Sequence, residues 1–155
     1  MSDVAFVDSH CHLDRLNLDA HNGDFDAMMA ATAEAGVSHM LCIGVDLETF
    51  PDVQALAEQH DHVFASVGVH PLYKESREPQ VQELVERATH PKVVAIGETG
   101  LDYHYEPELA EQQKASFAIH LQAARETGKP VVIHTRAARQ DTLDMLREAD
   151  LANAG

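Results

Sequence analysis

Apolar and polar positions along the chain alternate between two periodicities. Five short runs are rich in apolar, β-branched residues and have the length of strands. Between them, apolar residues recur at intervals of three and four, which is the spacing of one helix face. Strand and helix follow each other at intervals of roughly 25 to 40 residues, which predicts consecutive βα units and a parallel sheet. The predicted strands are Val4–Val7, Met40–Val45, Val63–Val69, Val93–Ile96 and Val131–Ile133.

Five helices are predicted between and after these strands. The first has Asp24 as its N-cap and Gly36 as its stop, and the second has Pro51 in its first turn. A longer fourth helix ends at Gly128, before Pro130. Helices of this number can cover both faces of a parallel sheet, so we expect one α/β domain spanning residues 1–155. The defining apolar positions lie within residues 25–33, 50–57, 81–88, 109–124 and 143–149.

Polar residues that can bind metals follow most of the predicted strands. The carboxyl ends of parallel strands meet at one edge of the sheet, where α/β folds place their chemistry. The second strand, which ends in Gly44-Val45-Asp46, has no evident ligand there. The sequence therefore predicts a cluster on one rim, formed by His10, His12, His70, Glu98, His134 and Arg136.

Imidazole and carboxylate together suit zinc, manganese, magnesium or a similar divalent ion, and one carboxylate can bridge two ions. We predict that His10 and His12 bind one ion, that His134 binds a second, and that Glu98 binds both and is catalytic. His70 is predicted to bind substrate phosphate, steady the attacking water or hold a ligand in place. Arg136 is predicted to bind a substrate phosphate, since its planar fork matches two oxygens.

Each of these residues also has a structural interpretation. The His-x-His pair could lie on a polar rim, His70 could be a turn residue before Pro71, and Arg136 could form a structural ion pair. Asp8 and Asp102 are balanced between a role in the site and a local capping role. The other seven histidines are expected on the surface or in packing contacts: His21, His39, His60, His62, His90, His104 and His120.

Composition narrows the class of partner. The chain has 26 acidic and 11 basic side chains and a formal charge of −15, which argues against a basic surface that grips duplex phosphates. Phosphate chemistry is still possible, because a bound divalent ion reverses the local charge. Two cysteines form no disulfide framework, and there is no export signal or membrane-length apolar run. We therefore expect a cytoplasmic protein without a membrane partner.

Four motifs together resemble the TatD-type metal-dependent hydrolases, especially the YcfH branch. They are Asp8-Ser9-His10-Cys11-His12-Leu13-Asp14, Gly68-Val69-His70-Pro71-Leu72, Gly97-Glu98-Thr99-Gly100-Leu101-Asp102-Tyr103 and Val132-Ile133-His134-Thr135-Arg136. The resemblance implies a TIM barrel, (β/α)8, of the amidohydrolase-like superfamily with a two-metal centre. It also implies deoxyribonuclease activity, often at the 3′ end of DNA, and the family's metal ligands match His10, His12, Glu98 and His134.

The chain departs from the family pattern in two ways. Ala137 stands where close relatives often have Asp, and the family's further His and Asp ligands on the sixth and eighth strands are beyond Gly155. A full barrel needs about 250 residues, so about five βα units and an incomplete barrel are expected here. We expect weak or absent hydrolysis from the 155-residue chain alone. The open edges of its first and fifth strands could pair with another chain.

Three functions remain open from the sequence. The leading one is a deoxyribonuclease that cleaves single-stranded DNA ends from 3′ to 5′ with a metal-activated water. The second is also metal-dependent but hydrolyses a different bond: an ester or amide bond, as in a D-aminoacyl-tRNA deacylase. The third is a non-catalytic truncated fragment that serves in folding or interaction.

Overall fold

The computed structural model describes residues 5–73 and 77–151 of the chain. Within them, five parallel strands alternate with five α-helices, and the strands are hydrogen-bonded in the order β1-β2-β3-β4-β5. The strands are β1 (Phe6–Cys11), β2 (Val37–Cys42), β3 (Val63–Val67), β4 (Val93–Asp102) and β5 (Val131–Arg136). The helices are α1 (Phe25–Glu34), α2 (Phe50–Gln59), α3 (Val81–Ala88), α4 (Ala110–Thr127) and α5 (Arg139–Glu148).

The predicted series of five βα units is confirmed, and it forms a curled half-barrel of the TIM type. Every neighbouring pair of strands is parallel, and each crossover includes a helix. In the described residues, β1 and β5 each pair on one side only, so both are edge strands. Short 3-10 helices add turns at Leu13–Arg15, Asp19–His21 and Pro107–Leu109.

Capping and helix-breaking residues set the ends of the helices. The Asp24 side chain accepts a hydrogen bond from the Ala27 amide at 3.0 Å, as its predicted N-cap role requires. Pro51 lies in the first turn of α2, and α4 ends at Gly128 in a left-handed conformation. The fourth helix begins at Ala110, because Leu109 still belongs to the preceding 3-10 turn.

The predicted strand bounds are partly wrong. Strand β2 begins three residues before the predicted Met40 and ends at Cys42, because the apolar run continues into a buried loop over residues 43–47. Strand β4 continues six residues past Ile96, since its polar residues still pair with β5. The apolar runs follow neither burial nor strand geometry alone, since β1 is mostly exposed and the polar end of β4 is buried. Val4, the predicted start of β1, lies outside the described residues.

The hydrophobic core lies between the sheet and its helices. Its main part joins buried side chains of β2, β3 and β4 to α2 and α3, including Val63, Val67, Phe50 and Leu84, all at most 2% exposed. A second part packs Leu101 against Phe117 and Leu121 of α4. Among the described residues, no helix combines the length and apolarity that a membrane crossing requires. The core fixes α4 against the strands that carry the polar cluster.

Candidate metal centre

Glu98 is the centre of the polar cluster. It lies on β4 and is only 8% exposed. Its Oε2 atom is 3.3 Å from Nε2 of His10, and its Oε1 atom is 3.5 Å from Nδ1 of His134 and 3.8 Å from Nε2 of His70. One buried carboxylate thus faces imidazoles delivered by β1, by β5 and by the segment after β3.

The ligand-type atoms around Glu98 fall into two overlapping groups. The first ligand group is His10, His12 and Glu98, and the second is His70, Glu98 and His134. In each group one nitrogen or oxygen atom per residue lies within 4.8 Å of the others. The structure therefore brings all four predicted metal ligands together and places Glu98 in both groups.

A glycine allows β4 and β5 to approach closely at this point. Gly100 has a φ of +138°, and a Cβ atom built there would lie 2.0 Å from the carbonyl oxygen of His134. A larger residue would therefore push β5 away from β4 and would also be strained at this φ. The Gly-Glu-Thr-Gly stretch is thus a geometric requirement for placing His134 near Glu98.

The end of β2 supplies no ligand, but it holds the backbone of two site residues. The carbonyl oxygen of Gly44 accepts a hydrogen bond from the Glu98 amide at 2.9 Å. The carbonyl oxygen of Val45 accepts one from the His70 amide, also at 2.9 Å. The segment that the sequence left without a function therefore positions the site.

The first ligand group is the more exposed of the two. The side chain of His10 is 43% exposed, and the amide of His10 donates to Oδ1 of Asp8 at 3.1 Å. Nδ1 of His12 is buried and has no hydrogen-bond partner among residues 5–73 and 77–151. A buried nitrogen without a partner carries an energetic cost, which coordination of a cation would remove.

Asp102 orients His134. Its Oδ2 atom accepts a hydrogen bond from Nε2 of His134 at 2.9 Å, and its Oδ1 atom accepts the amides of His104 and Tyr105. Burial alone would raise the pKa of Asp102, but these hydrogen bonds hold it below its usual value. An ionised Asp102 assigns the proton of His134 to Nε2, so Nδ1 presents a lone pair toward Glu98. Sequence reasoning had left Asp102 undecided between a capping role and a role in the site, and its carboxylate contacts both the turn after β4 and a ligand-group histidine.

In this structure His70 presents an N–H donor, and not a lone pair, to the other members of the second ligand group. The Leu72 amide donates to Nδ1 of His70 at 3.2 Å, so a neutral His70 carries its proton on Nε2. Burial lowers the pKa of His70 to about 4, an effect that Glu98 partly opposes, and the ring is therefore neutral at pH 7. Its Nε2 lies 3.2 Å from Nδ1 of His134. A cation on Nδ1 of His134 would require this N–H to turn to another acceptor.

Two buried polar residues of α4 hold the segments next to the site. Gln113 accepts the Asp102 amide at 2.8 Å and donates to the Asp102 carbonyl at 3.0 Å. Nε2 of His120 accepts the Val69 amide at 2.9 Å, and its Nδ1 donates to the carbonyl of Ser116 at 2.7 Å. The two side chains are seven positions apart, so they lie on the same face of the helix. The sequence prediction had grouped His120 with packing residues and had not considered Gln113; a buried-face Gln and His at this spacing was the available signal.

Arg136 ends β5 two residues after His134, on the same side of the strand. Its guanidinium carbon lies 4.6 Å from the ring centroid of Tyr105. Ala137 follows with a φ of 54°, a left-handed conformation that Asp and Asn adopt more readily than Ala. Backbone conformation is thus one physical reason for Asp to be favoured at this position.

Comparison with known proteins gives one family. The model of the family described as "TatD related DNase" matches residues 7–155. The chain is 42% identical over 149 residues to an "Uncharacterized metal-dependent hydrolase YcfH" of Escherichia coli K12, covering 96% of this chain and 56% of the relative. It is 38% identical to an "Uncharacterized metal-dependent hydrolase TatD" of Mycobacterium tuberculosis, covering 91% of this chain and 55% of that protein.

Solved structures agree with the fold. The crystal structure of YjjV, a TatD homologue from Escherichia coli K12, superposes with a TM-score of 0.82 at 32% identity and covers 95% of this chain and 57% of that chain. A TatD family hydrolase from Entamoeba histolytica has a TM-score of 0.76 at 21% identity, covering 94% of this chain and 54% of that one, and shows the fold alone. The chain spans just over half the length of the curated relatives that it matches.

Proposed function

This chain belongs to the TatD-related family of metal-dependent hydrolases, and we propose that its site hydrolyses phosphodiester bonds of DNA, from the 3′ end of single strands, with two divalent metal ions. The observation that carries the proposal is the position of Glu98 in both ligand groups. A carboxylate shared between two histidine groups can bridge two ions, and a two-metal site can stabilise both the attacking and the leaving oxygen of a phosphodiester. The family description, a TatD-related DNase, favours DNA as the substrate.

The residues present fit divalent ions. Nδ1 of His12 is buried without a partner in the described part of the chain, and Glu98 places one oxygen toward each group. His10, His12 and Glu98 would hold one ion, and Glu98 and His134 the other, with nitrogen and oxygen donors that suit manganese, zinc or a similar ion. Bound ions of this kind lower the pKa of water and stabilise negative charge on phosphate oxygens.

The remaining side chains act on the substrate. The neutral His70 directs an N–H group into the site, where a phosphate oxygen would accept it. Arg136 lies at the rim with its guanidinium edge available for two phosphate oxygens. Asp102 keeps the proton of His134 on Nε2, so Nδ1 presents a lone pair on the side of Glu98 and His70. Binding and orientation are thus divided between the segment after β3 and residues of β4 and β5.

The net charge favours strand ends over duplex DNA as the substrate. With 26 acidic and 11 basic side chains, the chain has too few cations to neutralise a row of duplex phosphates. A single-stranded end needs only a few contacts, because stacking and one or two phosphate interactions supply the affinity. The substrate therefore presents its terminal phosphodiester to the rim rather than lying along a groove.

The test is release of nucleotides from a 3′-labelled single-stranded oligonucleotide by the 155-residue chain with Mn²⁺. We expect slow release that a chelator abolishes and that Glu98→Gln removes, while the exposed Glu48→Gln leaves it unchanged. A charged D-aminoacyl-tRNA is offered in parallel. Deacylation of this tRNA without release from the oligonucleotide, or release that survives the chelator, would contradict the proposal.

A further inference from the structure

Arg136 differs from the other arginines of this acidic chain. Four are ion-paired, and Arg125 and Arg139, which also have no carboxylate within 4.0 Å in the described residues, have no aromatic ring contact there. Arg15, Arg77, Arg87 and Arg147 all lie within 4.0 Å of a carboxylate. Among the residues that the structure describes, no carboxylate lies within that distance of Arg136, whose guanidinium instead packs on the ring of Tyr105. A cation that is exposed and stacked on an aromatic ring keeps its N–H edge free for an anionic ligand.

Tyr105 is both exposed and fixed relative to the metal centre. Its side chain is 59% exposed, although it follows a buried strand. Its amide donates to Oδ1 of Asp102 at 3.2 Å, and Oδ2 of the same carboxylate accepts Nε2 of His134. The rings of His104 and Tyr105 meet in a T-shaped contact, with 4.7 Å between the ring centroids. One carboxylate therefore fixes both a ligand-group histidine and the backbone of an exposed aromatic residue.

We propose that Tyr105 and Arg136 form a nucleotide subsite beside the metal centre, in which Tyr105 stacks on a nucleobase and Arg136 binds the adjacent phosphate. This inference rests on the proposed function, since it specifies how the strand end is held. Arg136 lies over one face of the tyrosine ring, and the 59% exposure of Tyr105 leaves ring surface for a base. Stacking of this kind accepts any base and suits an enzyme that removes successive nucleotides.

A purely structural role for the pair makes a different prediction. An exposed contact between an arginine and an aromatic ring contributes only about 0.5–1 kcal/mol to folding. If that were its whole role, replacing Tyr105 would weaken the binding of every oligonucleotide equally or not at all. A stacking role makes the effect of the substitution depend on the presence of a base.

The experiment combines two variants with two oligonucleotides. One single strand ends in 2-aminopurine, whose fluorescence falls on stacking, and the other ends in an abasic residue. For the intact chain and for Tyr105→Phe we expect quenching on binding. For Tyr105→Ala we expect no quenching and affinity lower by roughly 5- to 150-fold on the 2-aminopurine strand. On the abasic strand the same variant should bind within about twofold of the intact chain.

Arg136→Gln provides the second arm of the test. It removes the phosphate contact, so it should weaken both strands by the same factor. Equal losses on the two strands for Tyr105→Ala, or undiminished quenching, would overturn the subsite.

The monophosphate of 2-aminopurine deoxyriboside separates this inference from the proposed function. Binding of that nucleotide through Tyr105, with no cleavage of any oligonucleotide, would contradict the nuclease and leave the subsite standing. Oligonucleotide cleavage that does not depend on Tyr105 would support the nuclease and contradict the subsite.

Discussion

The two ligand groups share Glu98 but are held in different ways. The first depends on β1, an edge strand whose residues are mostly exposed, and His10 is 43% exposed there. In the second, Asp102 holds the His134 ring, while Gln113 and His120 hold the backbone at Asp102 and Val69. Those three supporting side chains are at most 3% exposed. The second ligand group is thus held by buried side chains of the core, whereas the first lies on an exposed edge strand.

This difference indicates that the second ligand group is held in its binding geometry more firmly than the first. A buried hydrogen bond to one nitrogen of a metal-binding histidine fixes which nitrogen carries the proton and how the ring is oriented. Both effects raise the affinity of the other nitrogen for a cation. An exposed histidine held by a local contact loses conformational entropy when it binds. We therefore expect the second group to depend on distant residues of α4, and the first to depend on little beyond its own strand.

The largest effect is expected from Gln113→Leu. This change leaves the buried Asp102 amide without its acceptor and removes the hydrogen bond to the Asp102 carbonyl. We expect the free energy of unfolding to fall by about 2–4 kcal/mol in urea titrations. Gln122→Leu, on the exposed face of the same helix, should change it by less than about 0.5 kcal/mol. Similar losses for the two variants would show that α4 does not brace the site.

The pH dependence of stability should report His120. Burial lowers its pKa to about 4, against 6.5 for an ordinary histidine. Between these values the unfolded chain binds a proton that the folded chain excludes, so His120 contributes a loss of roughly 3 kcal/mol of stability as pH falls from 6.5 to 4. His70, whose pKa burial also lowers to about 4, adds to the loss of the intact chain. His120→Leu should be less stable at pH 7 and should lose less on acidification, whereas the exposed His39→Leu should follow the intact chain. Equal pH slopes for all three proteins would refute this assignment.

Asp102→Asn should weaken cation binding at the second group. The Asn oxygen can still accept the amides of His104 and Tyr105, but its NH₂ group faces Nε2 of His134 and forces the proton to the other nitrogen. Loss of such a carboxylate typically costs 10- to 100-fold in metal affinity, as Mn²⁺ titration calorimetry can measure. Asp8→Asn is the matched control on β1, because Asp8 contacts the amide of His10 and not its ring. If both variants lowered the Mn²⁺ affinity equally, the two ligand groups would not differ in their dependence on a supporting carboxylate.

The smallest effect is expected from Ala137→Gly. Ala137 has a left-handed φ of 54°, which costs a residue with a Cβ atom about 1–2 kcal/mol and which Gly adopts without that cost. The greater conformational freedom of Gly in the unfolded chain cancels part of this gain in stability. We expect a gain of about 0.5–1 kcal/mol in the free energy of unfolding. Ala115→Gly, at an exposed position of α4, should instead lose about 1 kcal/mol. A loss at both positions in thermal unfolding would argue against the left-handed conformation.

The sequence predicted the elements better than their ends, for physical reasons. The apolar runs found all five strands, but they included the buried loop after β2 and missed the second half of β4, which is buried although it carries polar side chains. The ligand-type residues were visible because they follow strands, and the parallel sheet brings strand ends together. The seven-residue spacing of Gln113 and His120 could have shown that they share a buried face of α4, but not which backbone amide each side chain accepts.

The central claim is that Glu98 belongs to two cation sites, and Mn²⁺ binding by the intact chain and by Glu98→Gln tests it most directly. We predict that the substitution lowers affinity at both sites by at least tenfold, because Gln lacks the charge that each site shares. Glu48→Gln should bind as the intact chain does. A Glu98→Gln variant that keeps unaltered affinity at either site would contradict the claim.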